Sequence, residues 1–150
     1  MKNDRITRPQ MAAKMALAAA ERSEDPYRKV GACAMNEEGR VIGVAYNGVM
    51  AGFDVGPHFW DDRNQRQLYM LHAEQNLCAL VKRGELFAVA VTLQPCPDCA
   101  KLLVAHGVRE VYYLEKYLKN GVDCASSDDS LRIFEFYGLK MEKITISDKS

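Results

Sequence analysis

The sequence predicts an α/β protein, a three-layer α/β/α sandwich around a mixed sheet. Helix-like and strand-like segments follow one another in the order α-β-β-α-β-α-β-α-β, and a helix between two strands of one sheet makes those strands parallel neighbours. The two consecutive strands, "KVGACAMN" and "RVIGVAYN", are separated by "EEG", which reads as a hairpin and supplies an antiparallel edge. The segment "LFAVAVTL" is mostly apolar, as a strand covered on both faces must be.

Taken in order, the elements have recognisable punctuation. Thr7-Arg8-Pro9-Gln10 opens a helix, with Thr7 as cap, Pro9 in the first turn and Gln10 completing a capping box. That helix is expected over 8–22, stopped by the Asp25-Pro26 turn. The hairpin strands occupy 29–36 and 40–47. Residues 47–66 are rich in Gly, Asp, Asn and aromatics with little periodicity, and are expected to be a long irregular loop of the functional kind. A helix over 72–83 is closed by Gly84, and the apolar strand covers 86–93. Pro97 opens a helix that runs to about His106 and is stopped by Gly107. "VREVYYLE" is a strand, "SSDDSLRIFEFYG" a helix with Ser/Asp caps, and "LKMEKITI" the closing strand. There is no internal repeat and no low-complexity segment.

Composition narrows the function classes. The 150 residues are expected to form one domain over 1–150, with 48% apolar and 27% charged residues, an ordinary globular balance. Basic and acidic residues number 20 each, which argues against a polyanionic nucleic acid as substrate yet leaves room for a basic pocket around one phosphate. The first ten residues lack the apolar core of a signal peptide. The apolar run Met11 to Ala20 is short and contains Lys14, so it reads as a core helix rather than a membrane span. Five cysteines without a secretory signal point to a reducing, cytoplasmic setting in which thiols pack or bind metal.

Four residues carry the chemistry. Cys96 and Cys99 flank Pro97-Asp98 at a helix start, where a three-residue step brings two sulfurs to one ion and the helix dipole favours thiolates. Cys-x-x-Cys alone also serves redox pairs and structural zinc sites. A structural site needs four protein ligands, and Cys33, Cys78 and Cys124 form no second close pair; Cys33 and Cys78 read as small core residues and Cys124 as a loop residue. Among the three histidines, His106 reads as a cation at a helix end and His58 as a loop cap or pocket residue. His72 differs, because Glu74 lies two residues on. Within a helix those two side chains would point nearly opposite ways. They share a pocket only if the helix begins at or next to His72, with "LYML" extended before it. His72, Cys96 and Cys99 then leave one tetrahedral position for water, the pattern of a catalytic zinc, and Glu74 is placed to carry its proton.

His72-Ala73-Glu74 followed by Pro95-Cys96-Pro97-Asp98-Cys99 is the signature of zinc-dependent nucleobase deaminases. With "DPYRKVGACAMN", "GVAYNG", "HAEQN", "PCPDCAKLLVAHGVREVYY" and "EKY" in the expected order, residues 20 to 140 resemble the cytidine/deoxycytidylate deaminase family. The dCMP deaminase branch is the most similar. Free cytidine deaminases have a cysteine as first ligand, and tRNA adenosine deaminases lack the "AYNG" loop with its long insertion.

The resemblance implies a five-stranded sheet, one Zn2+ per subunit on His72, Cys96 and Cys99, and hydrolytic deamination of dCMP to dUMP with Glu74 moving protons. It implies Asn47, Ala73 and Tyr117 as substrate contacts, with Asn47 at the sugar or base edge and Tyr117 closing over the substrate. A regulatory nucleotide site for dCTP and dTTP around Gly48 and Gly52, and a homo-oligomer (hexamer or dimer), follow from it too. The alternatives are a deaminase of a free nucleoside or triphosphate, a nucleic-acid deaminase, or an inactive zinc-stabilised interaction module. The chain departs from the family at Glu24, where a basic residue thought to hold the 5′-phosphate is usual; Arg22, Arg28 and Lys29 are the cations at hand. The insertion over 50–67 departs as well.

Overall fold

Alanine decides how the first helix packs. In the computed structural model, which describes residues 4–119, 122–123 and 125–147, α1 (Arg8–Ala20) buries Ala12, Ala13, Ala16, Ala19 and Ala20 along one side. Side chains this short let the helix backbone lie almost on the sheet. A Cβ placed on Gly31 would stand 1.8 Å from the Ala16 carbonyl oxygen, so only glycine fits that position. The capping box forms as expected: Gln10 N donates to Thr7 Oγ1 at 3.1 Å, and Thr7 N to Gln10 Oε1 at 2.9 Å. The helix stops at Ala20, two residues short of the expectation, because Ser23 Oγ and Asp25 take the chain into a turn of their own.

The elements after α1 are β1 (Gly31–Met35), β2 (Val41–Tyr46), a 3-10 turn (Pro57–Asp61), α2 (Arg63–Tyr69), α3 (Ala73–Leu80) and β3 (Ala88–Leu93). Then come α4 (Pro97–Ala105), β4 (Glu110–Glu115), a short antiparallel ribbon of β5 (Leu118–Lys119) and β6 (Val122–Asp123), α5 (Ala125–Phe136) and β7 (Lys140–Lys143). The main sheet has five strands in the order β2-β1-β3-β4-β7. β1 runs antiparallel to β2 and β3, while β3, β4 and β7 are mutually parallel. The hairpin therefore forms the antiparallel edge, and "LFAVAVTL" supplies the central strand, buried from Ala88 through Thr92.

Alternation along the strands separates two cores. Cys33, Met35, Ala88, Ala90 and Tyr112 pack with Ala12, Ala13 and Ala16 of α1. Ala32, Ala34, Val89, Val91 and Val111 pack on the other face with Leu77 of α3, Leu103 of α4 and Phe134 of α5. This is the α/β/α layering that the sequence predicts. Among the described residues, no helix is long and apolar enough to cross a membrane.

The stretch read as an irregular loop is partly ordered. Pro57–Asp61 forms the 3-10 turn, and α2 follows under the cap of Asp62, whose Oδ1 accepts from Asn64 N at 2.9 Å and Gln65 N at 3.3 Å. Helix α2 buries none of its residues, so it has no apolar stripe for a sequence reading to detect. "LYML" is accordingly not wholly extended. Leu68 and Tyr69 finish the helix, and only Met70 and Leu71 are extended, Leu71 bridging Gly48 through hydrogen bonds of 2.7 and 3.0 Å.

Candidate metal centre and active-site pocket

The segment "HAEQN" assigns each residue a separate task. His72 is the N-cap of α3, with extended φ −74° and ψ 157°, so the helix begins immediately after it. Its side chain and that of Glu74 converge for that reason. Gln75 turns back, its Oε1 accepting from His72 N at 2.7 Å. Asn76 Nδ2 donates to the Tyr46 carbonyl at 2.8 Å and fastens the helix to the end of β2. Ala73 has no exposed surface and lines the pocket.

Cys96 is likewise an N-cap, of α4, with Pro97 in the first helical position and Cys99 N donating to Cys96 Sγ at 3.5 Å. The turn that presents it is held from a distant element: Ser130 Oγ, fully buried on α5, donates to the Pro95 carbonyl at 2.6 Å. In the sequence the serines of this segment read as helix caps. Nothing local in the sequence indicates the contact, because it spans 35 residues.

The two helix caps bring three ligand atoms together. His72 Nδ1 lies 3.2 Å from Cys99 Sγ and 3.7 Å from Cys96 Sγ, and all three ligand atoms are within 4.8 Å of one another. Tetrahedral zinc bonds would set a nitrogen and a sulfur about 3.5 Å apart, within this spacing. Imidazole with two sulfurs is a donor set that suits zinc, so the residues fit the ion. Hydrogen bonding from Cys99 and then from His72 lowers the Cys96 thiol to about 4, while the same Cys96–Cys99 hydrogen bond, with burial, pushes Cys99 up. The hydrogen bond to Cys96 raises His72. Among the described residues this is the one group of three or more His, Cys, Asp or Glu side chains close enough to hold a metal.

Glu74 is 4% exposed, and burial lifts its carboxyl from the ordinary range to about 7. It faces, with His72 and Cys96, a cavity of about 410 Å³, a volume typical of small-molecule sites. Asn47 and Tyr117 also line it, so the structure gathers the expected substrate contacts around one space. Asn47 is already engaged with the wall: its Oδ1 accepts from Val30 N at 2.9 Å and its Nδ2 donates to the Arg28 carbonyl at 2.9 Å. Among the described residues, the remaining Nδ2 hydrogen has only distant partners, Asp25 Oδ2 at 3.5 Å and Met70 Sδ at 3.8 Å. Tyr117 N donates to Gln94 Oε1 at 3.4 Å.

The cavity lining also includes the polar residues Asp25, Gln67 and Gln94, which no sequence motif marks, and Arg28, whose direction a sequence does not show. Gly48 and Gly52 do not line this cavity; Gly48 pairs with Leu71, and Gly52 has a φ of +80° with open space where a Cβ would stand. His58 bonds Asp61 at 3.0 Å on the exposed surface, as a loop cap. His106 caps α4, with Nε2 2.6 Å from the Val81 carbonyl. Cys33 is buried and Cys78 half-buried against the core; Cys124 lies outside the described residues.

Comparison with known proteins follows the same lines. The family model for the cytidine and deoxycytidylate deaminase zinc-binding region matches residues 7–115. The deoxycytidylate deaminase of Mus musculus is 29% identical over 152 residues, covering 96% of this chain and 83% of its own. That of Homo sapiens is 34% identical over 128 residues, covering 77% and 70%. In fold, the chain is similar to the dCMP deaminase of cyanophage S-TIM5 in its apo form, with a TM-score of 0.69 and 24% identity over 96% of this chain and 100% of that one.

Proposed function

The chain belongs to the cytidine and deoxycytidylate deaminase family, and from that premise we propose that it deaminates dCMP to dUMP by hydrolysis. The observation that carries the reading is Glu74: a buried carboxyl held near neutrality, opening into the same cavity as the His72, Cys96 and Cys99 group. The names of the mouse and human relatives support the choice of deoxycytidylate.

When bound by His72, Cys96 and Cys99, zinc supplies a Lewis acid that makes water nucleophilic near neutral pH. Glu74 would take a proton from the attacking water and deliver it to the ring nitrogen next to the carbon under attack. It would then take the second proton, from the hydroxyl newly formed on that carbon, and pass it to the amine, which leaves as ammonia while the carbonyl forms. A buried carboxyl raised above its ordinary range can both accept and return a proton near neutral pH. Ala73 closes the cavity floor without occupying it. Asn47 turns its weakly engaged Nδ2 hydrogen toward the sugar or the base edge, and Tyr117 covers the substrate.

The finer parts of the reading concern regulation and assembly. Gly48 and Gly52 precede Val49 and Phe53 of a separate open cavity of about 720 Å³, which would receive dCTP or dTTP. The subunits form a homo-oligomer, a hexamer or a dimer. Zinc-loaded protein offered dCMP, deoxycytidine, dCTP and cytosine in DNA, with each effector present and absent, tests the whole reading. Turnover of dCMP above the rest is expected, with loss on zinc chelation; turnover of none would overturn it.

A further inference from the structure

We infer that two copies of this chain join at the β2 edge of the sheet, strand against strand, across a two-fold axis at Val44. The inference rests on the homo-oligomer reading and deepens it by naming the surface. Of the two outer strands, β7 carries Lys140, Glu142 and Lys143, charges of the kind that keep a strand edge from pairing with another chain. The other, β2, reads Val-Ile-Gly-Val-Ala-Tyr, without a charge. Asn47 N donates inward to the Val30 carbonyl at 3.0 Å, so by alternation Tyr46 and Val44 direct their N–H and C=O groups outward. The Tyr46 carbonyl is taken by Asn76. Beyond Val44 no strand lies among the described residues.

The helices on the two faces carry the apolar surface onward. Arg8 of α1 donates to the Glu38 carbonyl at 2.8 Å, at the hairpin turn. Arg22, just past the helix, lies 6.0 Å from the centroid of the Tyr46 ring. The side of α1 between these two contacts therefore runs along β2, and Met11 and Met15, on the same row as Arg8, are exposed there. On α3, Asn76 marks the side that faces Tyr46, and Leu80, one turn on, is exposed beside it. Ile42 and Val44 are exposed between the helices. An uncharged strand edge with apolar side chains above and below fits another strand of the same character, and β2 is itself such a strand. Antiparallel pairing about Val44 makes the patch meet itself. The two Val44 residues exchange both backbone hydrogen bonds, and Ile42 of each copy falls beside Tyr46 of the other. No like charges meet in the ladder; Glu38 and Arg40, just outside it, already pair with each other at 3.7 Å.

Analytical ultracentrifugation of zinc-loaded full-length protein tests the interface in wild type, Val44→Lys and Phe136→Lys. The last is a control at an exposed aromatic on α5, which packs at the β7 side of the sheet. Two lysines opposed across the axis should weaken self-association by about 100-fold, taking dimer to monomer or hexamer to trimer. Phe136→Lys should leave it unchanged. Val44→Cys gives a readout that needs no disruption: in this register its Cα lies about 5.5 Å from its mate, within disulfide range. Mild oxidation should then link two chains, while Phe136→Cys links no more than wild type does. Assembly that persists in Val44→Lys, with no cross-link through Val44→Cys, would overturn the β2 interface and leave the homo-oligomer reading standing through another face. A wild type that is monomeric throughout would sink both.

Discussion

Ser130 Oγ and the carbonyl of Pro95 are 2.6 Å apart and fully buried, so a hydroxyl on α5 holds the residue that precedes the first cysteine of the metal group. Replacing Ser130 with Ala leaves that carbonyl without its buried donor, a loss of about 1–3 kcal/mol. The same change should loosen the Cys96 turn and weaken zinc binding by about tenfold, an effect in the range seen when groups behind metal ligands are removed. Competition with a chromophoric chelator measures the affinity and urea unfolding the stability. An unaltered zinc affinity in a destabilised variant would show that the contact serves the fold alone.

Glu74→Gln tests proton transfer separately from metal binding. The amide keeps the shape and removes the burial of an acid, so the fold and one zinc per chain should persist. The turnover number for dCMP should fall by about 10³-fold, within the range for removing a positioned general acid–base group. Metal analysis beside kinetics decides: loss of zinc from the variant would mean that Glu74 supports the ligands rather than the reaction.

The interior thiol of Cys33 gives a signature in alkaline stability. Burial pushes this thiol up to about 11, whereas an unfolded cysteine ionises near about 8.5. The neutral thiol in the fold is thus fully favourable below the unfolded value, and its advantage is lost as pH rises toward 11. Compared with Cys33→Ala, the wild type should be the more stable by about 1 kcal/mol at pH 7. That lead should shrink and then reverse, the change being on the order of 3 kcal/mol in all between pH 8.5 and 11. Urea titrations of both proteins at pH 7, 9 and 10.5 would detect it; a constant difference would exclude the linkage.

Gly31→Ala should be costly in a way that a surface glycine is not. The added carbon would meet Ala16 O at 1.8 Å and Ala20 N at 2.8 Å, both backbone atoms of α1 that cannot rotate aside. A loss of about 3 kcal/mol is expected. At Gly43, by contrast, the nearest atom is a Val81 methyl at 3.3 Å, and Gly43→Ala should be far milder. Thermal melts of the two variants compare them; equal costs would mean that α1 can lift from the sheet.

Much of the site was legible because its chemistry is written locally. His72 and Glu74 can share a pocket only at a helix start, and the extended N-cap conformation of His72 meets that requirement. The mixed sheet followed from the helices between its strands, and its antiparallel edge from the β1–β2 hairpin. What escaped was either non-local or lacked a pattern. Helix α2 is polar along its length and starts from an aspartate among other polar residues, so neither periodicity nor composition separated it from a loop. The Ser130 contact depends on where α5 docks. The direction of Arg28 depends on how Asp25 and Asn47 bend the chain, while Arg22 and Lys29 look equivalent to it in one dimension. Strand ends fell short of their apolar runs; at β7, Ile144 and Ile146 still pack beside α1 after the ladder has ended.

The clamp on residue 28 acts on its main chain alone. Asp25 takes its N–H and Asn47 its carbonyl, so neither grip depends on which side chain is carried there. A mutation at this codon changes the chemistry presented to the incoming ligand while the hairpin, the zinc ligands and Glu74 keep their positions. The pocket thus contains an interchangeable socket, a position whose side chain can be exchanged without moving the catalytic apparatus.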